Sequence, residues 1–292
     1  MTTLFFGIFL SGCWVPQSEV DAWFDAGFND DLTAEQIVEN LDFQSISPAV
    51  VYASSDGVFL QGCEPEIEDG NCSPAHETQL THTFRMSRYE VSNQHFRSLL
   101  PDMDPLHDEK PIYAVVNVSW HDAAQYANLL SSAVGKQECY TCDSETQECV
   151  GMDNIYLCDG YRLPTEAEWE LAAKCSTDFT YAGSDTASDV AIFAEERQQS
   201  TSGGGQKADN LCGIFDLSGN AAEWTHDDFT PYTEEAVTDP IGGANGETKV
   251  YRGGSFLMPA NNLHETSVSS RSLAAPDQKM IDLGFRLVRT EE

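Results

Sequence analysis

The chain has 292 residues, 41% of them hydrophobic and 10% aromatic, enough apolar material for one large domain with a sizeable core or for two small ones. Fifteen Lys and Arg stand against 48 Asp and Glu, a formal charge of −33. Such a surface repels polyanions, which argues against nucleic acid and anionic lipid headgroups as partners. The excess forms no block of like charge, so it reads as a solvated acidic coat and not as an acidic tail.

The first segment is apolar but short. Leu4 to Leu10 (LFFGIFL) falls far below the ~20 residues of a membrane-spanning helix. It runs directly into Leu10-Ser11-Gly12-Cys13, which looks like a bacterial lipobox, where small residues precede a cysteine that is lipidated and becomes the new N-terminus. The basic residue that usually precedes such a run is absent. The expectation is a signal segment over 1–13, lipidation at Cys13, and a protein exported to the bacterial cell envelope, at the outer membrane or in the periplasm.

Residues 14–46 are acidic and polar and read as a tether. It ends in a short helix, where Thr33-Ala-Glu-Gln36 forms a capping-box pattern ahead of Ile37, Val38 and Leu41. From 47 to 292 the texture is that of a folded domain. Val50, Val51 and Tyr52, then Val58, Phe59 and Leu60, read as strands around an Asp56-Gly57 turn. Gln79 to Met86 alternates like one half-buried strand. Ser92 caps a helix through Leu100; Ser119 caps another, with Trp120, Ala123, Ala124, Ala127 and Leu130 on one face and a stop at Gly135. A third helix starts at Thr165, where Thr165-x-x-Glu168 is again a capping box and Pro164 blocks backward extension. Beyond Gly183 loops rich in Gly, Ser, Asp and Asn dominate, with short strands at Lys249–Arg252 and Gly284–Val288.

Setting Cys13 aside leaves eight cysteines, Cys63, Cys72, Cys139, Cys142, Cys149, Cys158, Cys175 and Cys212. An even number in an exported chain points to disulfides, although eight cysteines permit 105 pairings. The expected pairing is Cys63–Cys72, Cys175–Cys212, and two bridges within the cluster Cys139 to Cys158. A zinc site in that cluster is the alternative, but its second pair is spaced too widely for a zinc ribbon.

Six strings occur in a set order: Tyr89-Glu-Val-Ser-Asn93, Val116-Asn-Val-Ser-Trp-His-Asp-Ala123, Gly160-Tyr-Arg-Leu-Pro-Thr-Glu-Ala-Glu-Trp-Glu170, Gly213-Ile-Phe-Asp-Leu-Ser-Gly-Asn-Ala-Ala-Glu-Trp224, Arg252-Gly-Gly-Ser-Phe256 and Leu283-Gly-Phe-Arg286. Together they resemble the formylglycine-generating-enzyme, or sulfatase-modifying factor, family over residues 50 to 289. That resemblance implies a single α+β domain with a C-type-lectin-like fold, little regular secondary structure and long ordered loops.

Each string also has a physical reading. Thr165 and Glu168 satisfy free backbone N–H groups at a helix start and Trp169 anchors the helix. Asp216 to Asn220 is a turn in which Gly219 is free to take positive φ. In the family a calcium ion sits at this turn, and the matching positions are Ser218, Gly219, Ala221 and Glu223, whose hard oxygen donors suit that ion. A turn pinned by hydrogen bonds without metal is the alternative.

The enzymes of the family carry two cysteines, three and eight residues after the serine of the Gly-Gly-Ser string, which hold copper(I) and activate oxygen. Here those positions are Met258 and Leu263, and no cysteine follows Cys212. Because thiolates are what select copper(I), copper is not expected. Ser255 and Trp224 match residues that line the enzyme pocket, and they are the remaining pocket candidates. His226, Asp227, Asp228, His264 and Glu265 supply the residue types of a two-histidine, one-carboxylate iron site, which leaves iron open. The reading that follows is an exported family member, non-catalytic or altered in chemistry, that binds an envelope protein, a peptide or a glycan; an oxidoreductase with a different metal site is the alternative.

Overall fold

The computed structural model describes residues 7–10, 13–16, 32–51, 57–63, 71–103, 105–106, 110–194, 200–243, 247–259 and 264–291. At the N-terminus β1 (Gly7–Leu10) pairs antiparallel with β2 (Cys13–Pro16). No described helix is long and apolar enough to cross a membrane.

The helix expected at the end of the tether belongs to the folded unit. Thr33 and Gln36 form the capping box of the helix Ala34–Leu41, whose Ile37 and Leu41 are fully buried. The next strand, β3 (Gln44–Ile46), pairs with β6 (Phe84–Met86), which in turn pairs with β14 (Val288–Thr290). The structured unit therefore begins before residue 47, and the boundary read from composition at 46/47 falls inside it.

Two further sheets frame the core. β4 (Val58–Gln61) pairs with β5 (His76–Gln79), which is extended in parallel by β10 (Val237–Thr238). The four-stranded sheet runs in the order β12 (Ser272–Ala274), β11 (Lys249–Arg252), β9 (Ala222–Asp228), β13 (Leu283–Gly284). All seven residues of β9 are buried. Two helices pack on these sheets, Trp120–Ala133 and Glu166–Lys174. Between them Trp120, Trp169, Trp224, Tyr126, Phe96 and Phe285 fill the centre, the Phe96 and Tyr126 rings lying stacked at 5.7 Å with Phe285 edge-on to both.

Three strand expectations need correction. Val50 and Val51 lie in a one-turn helix, Pro48–Val51, because Pro48 presets a helical φ at the first position and Ser47 O accepts from Val51 N at 2.9 Å; Tyr52 and Asp56 lie outside the described residues. Gln79 to Met86 is not one strand but the end of β5 and the whole of β6. Asp239 takes both the backbone N–H and the hydroxyl of Thr81, at 2.9 and 2.6 Å, and the His82 ring is drawn to Glu168, so these residues leave the ladder. Gly284 to Val288 is likewise split between β13 and β14. Phe285, Arg286 and Leu287 bridge the two sheets, and at Gly284 a Cβ would sit 2.1 Å from Val115 O.

Four disulfides are present: Cys63–Cys72, Cys139–Cys158, Cys142–Cys149 and Cys175–Cys212. The middle two fasten the hairpin of β7 (Tyr140–Cys142) and β8 (Cys149–Gly151), and leave no thiolate pair there for zinc. The last ties the C-cap of Glu166–Lys174 to the segment leading into β9.

The helix Glu166–Lys174 has an unusual interior. Glu166, Glu168 and Glu170 are all buried, and each meets arginine. Arg162 grips Glu168 with two contacts of 2.7 Å; Arg252 reaches Glu166 and Glu170 at 3.0 and 2.6 Å; Arg271 grips Glu166 at 2.5 and 2.7 Å. Burial opposes ionisation of Glu168, yet the Arg162 guanidinium and His82 hold its carboxyl below the ordinary range.

Candidate functional site

The two residues matched to the family pocket sit in the core. Trp224 on β9 is fully buried and donates its Nε1–H to Val118 O at 3.0 Å. Ser255 is fully buried after the tight turn Gly253-Gly254; its hydroxyl donates to Asp282 at 2.6 Å and accepts from Leu257 N at 3.2 Å. Those commitments occupy both polar groups within the core: Trp224 ties β9 to the segment before the helix Trp120–Ala133, and Ser255 holds its turn. Met258, at the first of the two cysteine positions, is half-buried, and its N–H bonds Ser255 O; Leu263, at the second, lies outside the described residues. All eight cysteines after Cys13 are in disulfides, so none of them offers a thiolate. Of Cys13 the structure gives the backbone alone.

The turn Asp216 to Glu223 does not fit the calcium ion that the resemblance implies. The two Glu223 oxygens accept from Arg286 at 2.6 and 2.7 Å, and one also accepts from Trp169 Nε1 at 2.7 Å. A guanidinium thus occupies the carboxylate face a cation would need. The Ser218 hydroxyl is also committed, between Ala182 N and Thr266 O, and Gly219 takes φ +78 with its N–H on Gly253 O. The observed arrangement is the hydrogen-bonded turn; Ala221 adds an N–H to Glu90 at 3.1 Å.

The iron candidates are not brought together. His226 and Asp227 are successive residues of β9 and so point to opposite faces. His226 lies buried beside Tyr140 and Trp120; burial, with Lys249 and Arg162 nearby, lowers its pKa to about 3, and the ring is neutral. Asp228 pairs with Lys249 at 2.6 Å. His264 and Glu265 stand on a separate short 3₁₀ turn, His264–Thr266. Among the described residues no cluster of three or more His, Cys, Asp or Glu is set to hold a metal.

Beside the 3₁₀ turn His264–Thr266 is a loop-walled cavity of about 480 Å³. It is walled by Lys174, Asp178, Phe179, Tyr181, His264 and Ser267, and Cys63 of the first disulfide adjoins it. Phe179 is 38% exposed, large for an aromatic ring. His264 Nε2 is buried without a hydrogen-bond partner among the described residues. Sequence reasoning found His264 but missed Phe179 and Tyr181. Two aromatics in a Gly- and Ser-rich stretch, just past a disulfide and outside any apolar period, were the available signal.

Residues 43–291 match the sulfatase-modifying factor enzyme 1-like domain family. The chain belongs to that family. It is 32% identical over 173 residues to chaperone protein LppX of Paenibacillus barcinonensis, a match covering 48% of this chain and 61% of that one. It is 30% identical over 194 residues to the formylglycine-generating enzyme of Streptomyces coelicolor, covering 61% and 52%. The chain thus spans between about half and three-fifths of the length of these curated relatives. Treponema denticola variable protein 1 superposes with TM-score 0.70 at 25% identity, over 85% of this chain and 95% of its own. PvdO from Pseudomonas aeruginosa shares the fold at TM-score 0.61 and 21% identity, over 82% of this chain and 93% of its own. The α+β, C-type-lectin-like, disulfide-stabilised domain implied by the six strings is the fold of this family member.

Asp227 makes a pH prediction. Burial, reinforced by Glu166 and opposed by the Glu166 N–H, Lys249 and Arg271, pushes its carboxyl up to about 8 from an ordinary 3.8. The folded state therefore holds a proton that the unfolded chain releases, so this stabilisation is full below pH 3.8 and is lost as pH rises through about 8. Asp227→Asn, a neutral mimic, is expected to gain on the parent by about 1.4 kcal/mol per pH unit up to about pH 8, so that its advantage at pH 9 exceeds that at pH 5 by roughly 4 kcal/mol. Thermal unfolding at both pH values checks this, and an identical pH slope in the two proteins would refute it.

Proposed function

We propose that this domain is a non-catalytic member of its family, exported and lipid-anchored through Cys13, that binds an envelope protein, peptide or glycan over the loop cavity. The carrying observation is the replacement of the copper-binding pair by Met258 and Leu263 while every cysteine after Cys13 is held in a disulfide. Two thiolates are what make copper(I) chemistry possible, and a thioether and an isobutyl group at those positions supply neither charge nor a second ligand. The aromatic rings of the cavity and the one imidazole whose Nε2 has no partner among the described residues support binding, since such surfaces bury apolar area and recover unsatisfied polar groups. Similarity to a protein named as a chaperone agrees with a role exercised on other molecules.

The test uses the full chain purified from an oxidising compartment. It is offered copper(I), assayed by elemental mass spectrometry, and incubated in air with a cysteine-containing sulfatase peptide. The expected outcome is substoichiometric copper and an unaltered peptide thiol. One copper per chain with conversion of the cysteine to an aldehyde would overturn the proposal.

A further inference from the structure

A second cavity, of about 270 Å³, lies at the end of β9, walled by Asp227, Tyr232, Val237, Pro240, Ile241 and Gly242. Its lining is dominated by apolar groups, and the charges beside it are matched. Arg271 holds Glu166 through two contacts and spends its remaining guanidinium nitrogen on Asn71 O and Thr230 O, at 2.9 and 3.2 Å. A charged ligand would have to be desolvated here without an unpaired counter-charge to meet it.

The aromatic wall is fixed in advance. Tyr232 accepts from Gln61 Nε2 at 2.8 Å, lies under the Arg271 guanidinium at 3.7 Å, and has the His76 ring edge-on at 4.5 Å. One carboxylate oxygen remains open. Asp227 is 3% exposed; its Oδ2 accepts the Glu166 N–H at 2.8 Å, whereas Oδ1 has no hydrogen-bond partner among the described residues. Gly242 keeps that oxygen uncovered: at φ +72, a Cβ there would lie 3.1 Å from Oδ1 and 2.8 Å from the Asp227 Cβ.

We propose that this cavity binds a neutral aromatic ring bearing one hydroxyl, a phenol, whose ring packs on Tyr232, Pro240 and Ile241 while its hydroxyl bonds Asp227 Oδ1. A single ring suits the volume, which lies just under the roughly 300–1,000 Å³ of sites for larger ligands. One hydroxyl suits the single open carboxylate oxygen, and the mostly apolar walls offer the further hydroxyls of a sugar few partners. The proposal holds whatever the loop cavity binds. A phenol reaches the site free or as a tyrosine side chain, and these sources are told apart below.

The experiment is isothermal titration of the full chain at pH 7 with p-cresol, toluene, methyl glucoside and the tripeptide Ala-Tyr-Ala. The expected result is one p-cresol bound per chain, roughly tenfold more tightly than toluene, the worth of one hydrogen bond to a buried polar group. Val237→Trp, at a half-exposed position of the wall, is expected to abolish binding, and Asp227→Ala to remove the preference over toluene. Binding of Ala-Tyr-Ala as well assigns the site to tyrosine in a peptide; binding of p-cresol alone assigns it to a free phenol. Equal affinity for toluene, preference for methyl glucoside, no binding of any probe, or unchanged binding by Val237→Trp would overturn the proposal.

Discussion

Replacing Arg286 by Met is expected to destabilise the domain by about 3–5 kcal/mol, the cost of stripping a buried ion pair of one partner. Arg286 is fully buried on the segment between β13 and β14. Its guanidinium closes on both Glu223 oxygens and donates to Ser87 O and Phe215 O at 3.0 and 2.8 Å. Two more acids crowd the same pocket. Burial, with Asp216 and Glu223 close by, raises the Glu90 carboxyl well above its ordinary range, and burial raises Asp216 to about 6. Without Arg286 three carboxyls would share a water-poor site with no cation. Urea unfolding measures the loss, and the double variant Arg286→Met with Glu223→Gln is expected to recover part of it. A single variant within about 1 kcal/mol of the parent would show that the pair contributes little.

The second large effect concerns Cys175–Cys212. It spans 37 residues of sequence, the widest separation of the four disulfides, and the chain-entropy account assigns such a loop about 4 kcal/mol. Its two ends are also local anchors. Cys175 caps the helix Glu166–Lys174 in a left-handed conformation at φ +39, and Cys212 donates its N–H to Asn210, which in turn bonds Ala172 O. Replacing both cysteines by serine is expected to lower stability by about 2–4 kcal/mol, read as a fall in the denaturant midpoint under non-reducing conditions. The same exchange at Cys142–Cys149, which spans 7 residues and closes a two-stranded hairpin, is expected to cost less. If the short bridge proves the more costly, the entropic argument fails for this protein.

Local chemistry was readable from the sequence wherever a few neighbouring residues determine it. The boxes at Thr33 and Thr165 form as their spacing says, because N-cap and N3 groups satisfy each other without help from the rest of the chain, and Ser119, legible as a cap, completes a box with Asp122. Ser92 was legible as a cap, although its N3 partner is His95, which the usual acidic pattern does not name. The break at Thr81 and His82 was not legible, since its cause is Asp239, 158 residues further on. The site suffered most from this limit. His226 and His264 looked like a pair by residue type alone, while the open oxygen of Asp227 depends on Gly242 and on the N-terminus of a helix from another part of the chain. Glu223 matched a calcium position by its string, and only the docking of Arg286 revealed what holds it.

The three glutamates of the helix Glu166–Lys174 carry a consequence for how the chain is made. Glu168 finds Arg162 and Glu170 finds Lys174 close at hand, but Glu166 waits for Arg252 and Arg271, the second face of Glu170 waits for Arg252, and the Trp169 partner Glu223 waits for Arg286. While the polypeptide emerges from the ribosome N-terminus first, Glu166 and Glu223 have no cation to bury with, and Glu170 has Lys174 alone. The ion pairs of the central helix are therefore completed only once the segment carrying Arg252, Arg271 and Arg286 has been synthesised.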